Sequence, residues 1–440
     1  MRDVVVAEES RLKAIVFEKS IPRYVAMKVA GAGRCARSAT GRWGVLCPVS
    51  VQDVEAKPLP NGEWVRVAPR LAGICGSDLS VICGKGSTYF SPLTSVPFVL
   101  GHEVVGDVTE LGGDVARYET AERLTALACG DRVVLEPALG CRVRGIRPMC
   151  AACGRGQAAL CRNVTRGVIS AGIQTGYCRD TGGAWSSNFV CHRSQLHGVP
   201  DAIQDRAAVL TEPLACVLHG VLKADWRHAA TVFVMGCGTI GLLTIAALRF
   251  LGSGARVIAS AKYAHQKRLA TELGADVVID PPPAARHRKR FVEWLAAFDA
   301  EAHYPELGPP TIMGGVDLTF ECIATSSSLD MAIRVTAAGG TMVLVGMPGV
   351  PRGVDWTAIW FKSLTVQAAY AYGAEQTNGS ADGSHRPSCA LALDMLATWG
   401  ERLTALVGRP HAVEDYRSAL RSALFTGGSG TVKSVFGFNT

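Results

Sequence analysis

Residues 232–243, "VFVMGCGTIGLL", place Gly236, Gly238 and Gly241 as G-x-G-x-x-G between a β-branched apolar run and an apolar helix-forming run. The three glycines alone are a weak signal; the strand–turn–helix context gives them meaning. Gly236 permits the tight turn, Gly238 lets the backbone approach a pyrophosphate, and Gly241 lets helix and strand pack closely. A pyrophosphate there would meet Thr239 and Ile240, at a helix N-terminus whose first N–H groups lack intrahelical partners. Close-packing glycines that hold no ligand are the competing account. The wider stretch 229–248 is uncharged over the length of a membrane span. Its three glycines, and Arg249 directly after it, argue for a strand and a helix instead, and no membrane partner is expected.

Outward from this turn, short apolar strands alternate with helices. "TVFVMG", "ARVIASA", "ADVVID", "VDLTFECIA" and "TMVLVGM" read as strands, and "LLTIAALRFLG", "HQKRLATELG" and "LDMAIRVTAAGG" as helices. "PPPAARHRKR" breaks the run. Near-continuous apolar strands signal a parallel sheet covered on both faces, so 214–371 is expected to be α/β, a doubly wound parallel sheet. Residues 1–213 differ. The runs at 11–17 and 63–72, "VLGHEVVGDVTEL" and "GDRVVLEP" alternate between apolar and polar, which predicts a twisted, partly closed antiparallel β domain. "ARYETAERLTALAC" (116–129) and the cysteine-rich loop read as insertions. Residues 372–440 start with a polar loop, "GAEQTNGSADGSHRPS", then helices at 389–399 and 413–424 and a strand near 431–438.

A chain of 440 residues, 48% hydrophobic and 19% charged, is a soluble globular protein with a two-domain prior. Its net charge of +7 is spread along the chain. The densest basic cluster, "RHRKR" at 286–290, has no interleaved aromatics, so no nucleic acid is expected. The N-terminus lacks the apolar core of a signal peptide. The 15 cysteines are odd in number and mostly sit singly in apolar segments, which suits the reducing cytoplasm. That context bears on "GCRVRGIRPMCAACGRGQAALC" (140–161), where Cys141, Cys150, Cys153 and Cys161 share one irregular stretch. A metal site is favoured there over a disulfide knot.

The dinucleotide's second contact falls at the end of the second strand, where NAD-binding chains carry an acidic residue for the ribose 2′-hydroxyl. Ala261 stands there, with no Asp or Glu from 255 to 271, while Ser260, Lys262, Lys267 and Arg268 are close. A missing carboxylate removes repulsion toward a 2′-phosphate and the cations add attraction, so NADP is favoured, with NAD the alternative.

"AGICGSDLS" holds Cys75, "VLGHEVVGDV" holds His102 and Glu103, and "VLTEPLACV" holds Glu212. In this order, with the four-cysteine loop and the glycine turn, they resemble the zinc-dependent medium-chain dehydrogenases/reductases, the alcohol, polyol and threonine dehydrogenase group. The resemblance runs from about residue 11 to the C-terminus. It implies a GroES-like β catalytic domain built from both chain ends, with a Rossmann domain inserted. It also implies a catalytic zinc on Cys75, His102 and Glu212, with Glu103 as an alternate ligand. Ser77 takes the position of the proton relay, and Asp78 that of a residue orienting the histidine. Many relatives carry a histidine three residues beyond the relay hydroxyl; here that residue is Ser80. Cys150, Cys153 and Cys161 match the last three ligands of the family's structural zinc. Arg147 occupies the usual first position, so the insertion "RVRGIRPM" lengthens the arm back to Cys141.

The resemblance thus implies two zinc ions per chain, NADP or NAD, a small alcohol or carbonyl substrate, and a homodimer or homotetramer. Tyr89, Phe90 and Phe98 suggest an apolar or aromatic ligand. Two rivals stand beside this expectation. One is an NADPH-dependent reductase of activated double bonds on the same scaffold; the other is a non-catalytic zinc- and nucleotide-binding interaction protein.

Overall fold

The computed structural model describes residues 11–30, 47–115, 127–376 and 385–438, so parts of the 116–129 insertion and the 373–388 loop lie outside the described residues. Contacts divide the chain into two units, Met1–Glu212 with Leu393–Thr440, and Pro213–Ala392.

The first unit is antiparallel β. Its central strand, Trp64–Gly73, pairs with Val104–Leu111, with Phe189–His192 and with the last strand, Val435–Gly437. Val104–Leu111 continues to Arg132–Leu135 and then Leu196–Gly198. A second sheet sets Arg11–Phe17 between Val49–Glu55 and Phe98–Val99. The alternation seen in the sequence sorts the two faces. Val65, Val67 and Ala72 enter the core, while Arg66 and Arg70 pair across strands with Glu110 and Asp107, each at 2.7 Å. The pairing of Val435 with Gly73 places the end of the chain in the sheet its first half builds.

The second unit carries a six-stranded parallel sheet. Its order is Val277–Ile279, Arg256–Ser260, Thr231–Met235, Val316–Glu321, Thr336–Leu344, Thr365–Ala368, the doubly wound pattern with the glycine turn on a central strand. Phe233, Ile258, Phe320 and Val343 are fully buried, as strands covered on both faces require. Where "PPPAARHRKR" breaks the pattern, the chain forms a helix, Arg288–Leu295, and a hairpin, Ala300–His303 with Thr311–Gly314. The basic run hides that helix's apolar side, Phe291, Trp294 and Leu295. The contact boundary also assigns 372–392 to this unit. There Glu375 accepts from Ser388 Oγ at 2.6 Å and lies 2.6 Å from His219 Nδ1, tying the segment to helix Thr211–Lys223. No described helix is long and apolar enough to cross a membrane.

Candidate active site and metal centres

The central strand ends at Gly73, where a Cβ would lie 2.0 Å from Glu103 Oε2. The chain then turns into the short helix Gly76–Ile82, with Cys75 as its N-cap. Asp78, fully buried in the first turn, accepts the Cys75 N–H at 3.0 Å on Oδ2. Its other oxygen, Oδ1, lies 3.5 Å from His102 Nδ1, within ion-pair reach although Nδ1 makes no well-formed hydrogen bond. His102 and Glu103 precede strand Val104–Leu111, held by Gly101 at φ +98°, whose Cβ would meet Trp185 Cδ1 at 2.4 Å. Cys75 Sγ, a His102 nitrogen and a Glu103 oxygen thus lie within 4.8 Å of one another. Glu212, in the first turn of Thr211–Lys223, is buried outside that trio, yet its charge acts on His102.

Electrostatics show what this cluster accommodates. Burial opposes a charge on His102, but Asp78, Cys75 and Glu212 outweigh it and hold its pKa well above the ordinary value. Burial likewise opposes the charge of Lys433, and Glu103, Cys75 and Glu212 reverse the balance. Both directions report a field that favours positive charge, and a sulfur, an imidazole and carboxylates are a donor set suited to zinc. Ser77 Oγ is buried and makes no well-formed hydrogen bond to the described residues, with the Tyr177 hydroxyl near it. Tyr177 donates to Asp78 Oδ1 at 3.4 Å, and its ring centroid lies 6.1 Å from that of His102.

The four cysteines of the irregular loop also converge, with all their sulfurs within 4.8 Å of one another. Cys161 Sγ is 3.6 Å from Cys141 Sγ and 3.9 Å from Cys150 Sγ. No disulfide has that separation. A tetrahedral zinc with bonds of about 2.3 Å sets its sulfurs about 3.8 Å apart. N–H groups point at the sulfurs: Cys150 N and Asn163 Nδ2 at Cys141, Cys141 N at Cys153, and Asn163 N at Cys161, each at 3.3 Å. Burial and the neighbouring sulfurs raise the Cys153 and Cys161 thiols, whereas, against its own burial, backbone N–H groups of Cys153 and Arg162 and adjacent sulfurs bring Cys150 down, so these thiols share negative charge unequally when no cation lies between them. The geometry and the donors fit a closed metal site.

In the second unit, Gly236 has φ +99°, and a Cβ there would meet Ile323 Cγ1 at 2.4 Å. A Cβ on Gly241 would lie 1.8 Å from Gly236 O, the close approach expected of helix against turn, while Gly238 faces open space. Gly238 is the N-cap of Thr239–Phe250 and makes no side-chain cap bond. At the end of the second strand Ser260 and Ala261 are buried, whereas Lys262 is exposed with Nζ 5.3 Å from the Tyr263 ring centroid. Lys267 pairs with Asp280 at 2.7 Å and Arg268 with Glu272 at 2.8 Å. The cradle fits a dinucleotide, and Lys262 is the nearby cation without a carboxylate partner among the described residues.

Fold and site together define a two-unit oxidoreductase of the nicotinamide-dependent class. Two family models match: the alcohol dehydrogenase GroES-like domain over residues 61–201 and the zinc-binding dehydrogenase domain over 239–382. The chain is 28% identical over 70% of its length to L-idonate 5-dehydrogenase of Vitis vinifera, covering 73% of that protein. It is 25% identical over 69% of its length to sorbitol dehydrogenase of Bacillus subtilis strain 168, covering 75% of it. A Sinorhizobium meliloti 1021 structure assigned as a zinc-binding dehydrogenase and bound to NADP superposes with TM-score 0.64 at 25% identity, over 97% of this chain and 99% of that one. The chain belongs to the zinc-dependent medium-chain dehydrogenase/reductase family. It is an enzyme that moves hydride between NAD(P)(H) and small alcohols or carbonyl compounds.

Sequence reasoning missed Lys433, Tyr177 and Arg144. Lys433 was legible only as a lone charge in "TVKSVFGF", and Tyr177 and Arg144 sit in loops without periodicity. The expected aromatic wall is corrected in part. Phe98 is a core residue, stacked 4.9 Å from Phe17, while Tyr89 and Phe90 are exposed.

Proposed function

We propose that Cys75, His102 and Glu212 hold the catalytic zinc, with Glu103 as an alternate ligand, and that Cys141, Cys150, Cys153 and Cys161 hold a structural zinc. Zinc held by the first set would supply a Lewis acid for the substrate oxygen, and a dinucleotide whose pyrophosphate is held by Gly236, Gly238, Thr239, Ile240 and Gly241 would supply the hydride acceptor. Ser77 Oγ takes the alcohol proton as it releases its own hydroxyl proton to water or to the cofactor ribose. Asp78 fixes the His102 ring and the Cys75 backbone, and Tyr177 braces Asp78. The carrying observation is the buried Ser77 hydroxyl two residues from Cys75, which makes no well-formed hydrogen bond to the described residues although the Tyr177 hydroxyl lies near it. Orphaned buried donors are rare unless a ligand completes them.

Lys262 and Ser260 receive the 2′-phosphate of NADP, Lys262 doing most because it is exposed and Ser260 is buried. The enzyme is cytoplasmic, in keeping with the absence of disulfides among the described residues. It assembles as a homodimer or homotetramer. Trp356, Trp360 and Phe361, each more than half exposed and shortly before Thr365–Ala368 in the chain, a strand whose outer edge has no partner among the described residues, support association. Light scattering on the purified chain reads the assembly directly. For the chemistry, the protein is incubated with NADPH and a mixture of aldehydes, ketones and enones. Reduction of the carbonyl bond is expected; reduction of the carbon–carbon double bond alone would replace this proposal with the double-bond reductase.

A further inference from the structure

Arg144 lies in the insertion between Cys141 and Cys150 and is wholly buried. Its guanidinium makes six hydrogen bonds, all to main-chain carbonyls. Nε donates to Leu139 O at 2.9 Å. Nη1 donates to Arg166 O at 2.8 Å, Ile169 O at 3.1 Å and Ser170 O at 3.3 Å. Nη2 donates to Ser170 O at 3.2 Å and Gly172 O at 2.7 Å. The main chain reinforces this cage, since Val168 N donates to Arg144 O at 3.2 Å. A Cβ on Gly167 would lie 2.3 Å from that same oxygen. Arg144 thereby holds four carbonyls of segment 166–172, whose other ties include Ser170 N–H to Asp180 at 2.6 Å, Gly172 N–H to Val164 O at 3.0 Å and Arg166 N–H to Asn163 O at 3.0 Å.

The donors are satisfied by carbonyls alone, and the charge is only partly compensated: no carboxylate is a direct partner, although Asp180, which accepts the Ser170 N–H at 2.6 Å, acts on it from the next residue of the network. A buried cation without a counterion is costly. Burial lowers the Arg144 pKa, and the groups that oppose this are Cys178, Cys161, Asp180 and Cys141. Cys178 is held neutral by its own burial. Two of the remaining three are cysteines of the convergent cluster. Four thiolates around one dication leave a net dianion, so a loaded cluster, joined to Arg144 through the arm in which Arg144 N donates to Gly140 O at 3.1 Å and Ile146 N to Cys141 O at 2.9 Å, adds fixed negative charge beside the guanidinium that an empty cluster does not hold in place.

We infer that Arg144 is the countercation of the loaded Cys141–Cys150–Cys153–Cys161 site and, through its carbonyl cage, the residue that makes the order of 166–172 depend on the metal. This rests on the proposal that the four cysteines hold zinc. Coupling between two events is reciprocal. Removing zinc must loosen 166–172, and removing Arg144 must weaken zinc binding. The unusual insertion thereby has a physical role: it lengthens the first arm of the site and delivers a fork of donors that lysine cannot reproduce.

The test reads zinc retention against a chelator and amide hydrogen exchange over 166–172, with the cluster zinc identified as the one absent from Cys153→Ser. In the unaltered protein, stripping that zinc should speed exchange at 166–172 by about tenfold or more, as local opening becomes easier. Arg144→Met should lose the zinc at chelator concentrations about 10–100-fold lower, the usual cost of removing a partner next to the ligands. Arg144→Lys should recover part of the zinc retention, through its charge, but not the protection of 166–172. A purely mechanical strut would leave Lys no better than Met in both readouts, and that result removes the countercation. Exchange indifferent to zinc in the unaltered protein, or full zinc retention in Arg144→Met, overturns the inference alone. An unaltered protein that never takes up a zinc sensitive to Cys153→Ser overturns the metal assignment, and this inference with it.

Discussion

Lys433 ion-pairs with Glu103 inside the catalytic unit, the two side chains being 2% and 1% exposed, and its ammonium also donates to Ile74 O at 3.1 Å. One partner comes from the approach to the last strand and the other from the loop after Gly101. Removing one member of such a pair leaves an uncompensated buried charge, which typically costs about 3–5 kcal/mol. Lys433→Met should therefore destabilise the protein by that order in denaturant unfolding. Adding Glu103→Gln should restore much of the loss. A double variant no more stable than Lys433→Met would show that the pair carries no coupling.

The two proposed metal sites should separate in elemental analysis. Two zinc ions per chain are expected, falling to one in Cys75→Ser and one in Cys153→Ser. Cys75→Ser, like His102→Ala, should abolish turnover while thermal unfolding changes little. Cys153→Ser should instead lower the unfolding temperature, because a structural zinc contributes folding energy directly. At most one zinc in freshly prepared protein would count against the four-cysteine site.

Ser77→Ala should reduce kcat by about 10²–10⁴-fold, the usual range for a positioned acid–base group. Cofactor affinity should fall by much less than kcat. An unaltered kcat with a full deuterium isotope effect, which marks hydride transfer as limiting, would remove Ser77 from the proton route.

Cofactor choice should turn on positions 261 and 262. A charge-assisted bond from Lys262 to a 2′-phosphate is worth roughly 1.5–3 kcal/mol, or on the order of ten- to a hundredfold in affinity. Lys262→Ala should weaken NADP by that factor and spare NAD, and Ala261→Asp should reverse the preference. Equal or tighter binding of NAD by the unaltered protein, measured by fluorescence titration, would defeat the assignment.

His192 offers a pH test of stability far from the chemistry. It is buried, lies 3.6 Å from Glu63 and accepts the Ser194 N–H at 3.1 Å. Burial lowers its pKa from 6.5 to about 4, against the opposing pull of Glu63. A histidine whose folded pKa is depressed stays neutral while the unfolded chain takes up a proton. Its contribution is full above pH 6.5 and is lost as the pH falls toward 4. The gap amounts to roughly 3 kcal/mol. His192→Asn, which keeps the cap acceptor, should flatten that part of the stability–pH curve; an unchanged slope would contradict it.

The doubly wound half was legible because its signals are local. The run at 231–235, the turn glycines and the helix from Thr239 follow each other in the chain, and Gly236 needs its φ of +99° whatever surrounds it. The helix Arg288–Leu295 was not legible, because its apolar residues are few and sit behind prolines and a basic run. The four cysteines of one loop could be named as metal candidates from their spacing, whereas Cys75, His102, Glu103 and Glu212 entered only as what the family resemblance implies.

The sequence by itself determined the alternation of strands and helices on either side of 282–314, the glycine turn, and the absence of an acidic residue at Ala261, since backbone periodicity and φ preference act over a few residues. Only the tertiary structure decided that Lys433 neutralises Glu103, that Tyr177 reaches Asp78, and that Arg144 is caged by the carbonyls of Leu139, Arg166, Ile169, Ser170 and Gly172. The physical reason is that a buried charge or hydroxyl must find its partner wherever packing brings one within about 3 Å. That choice is made by folded neighbours, not by residues adjacent in the chain.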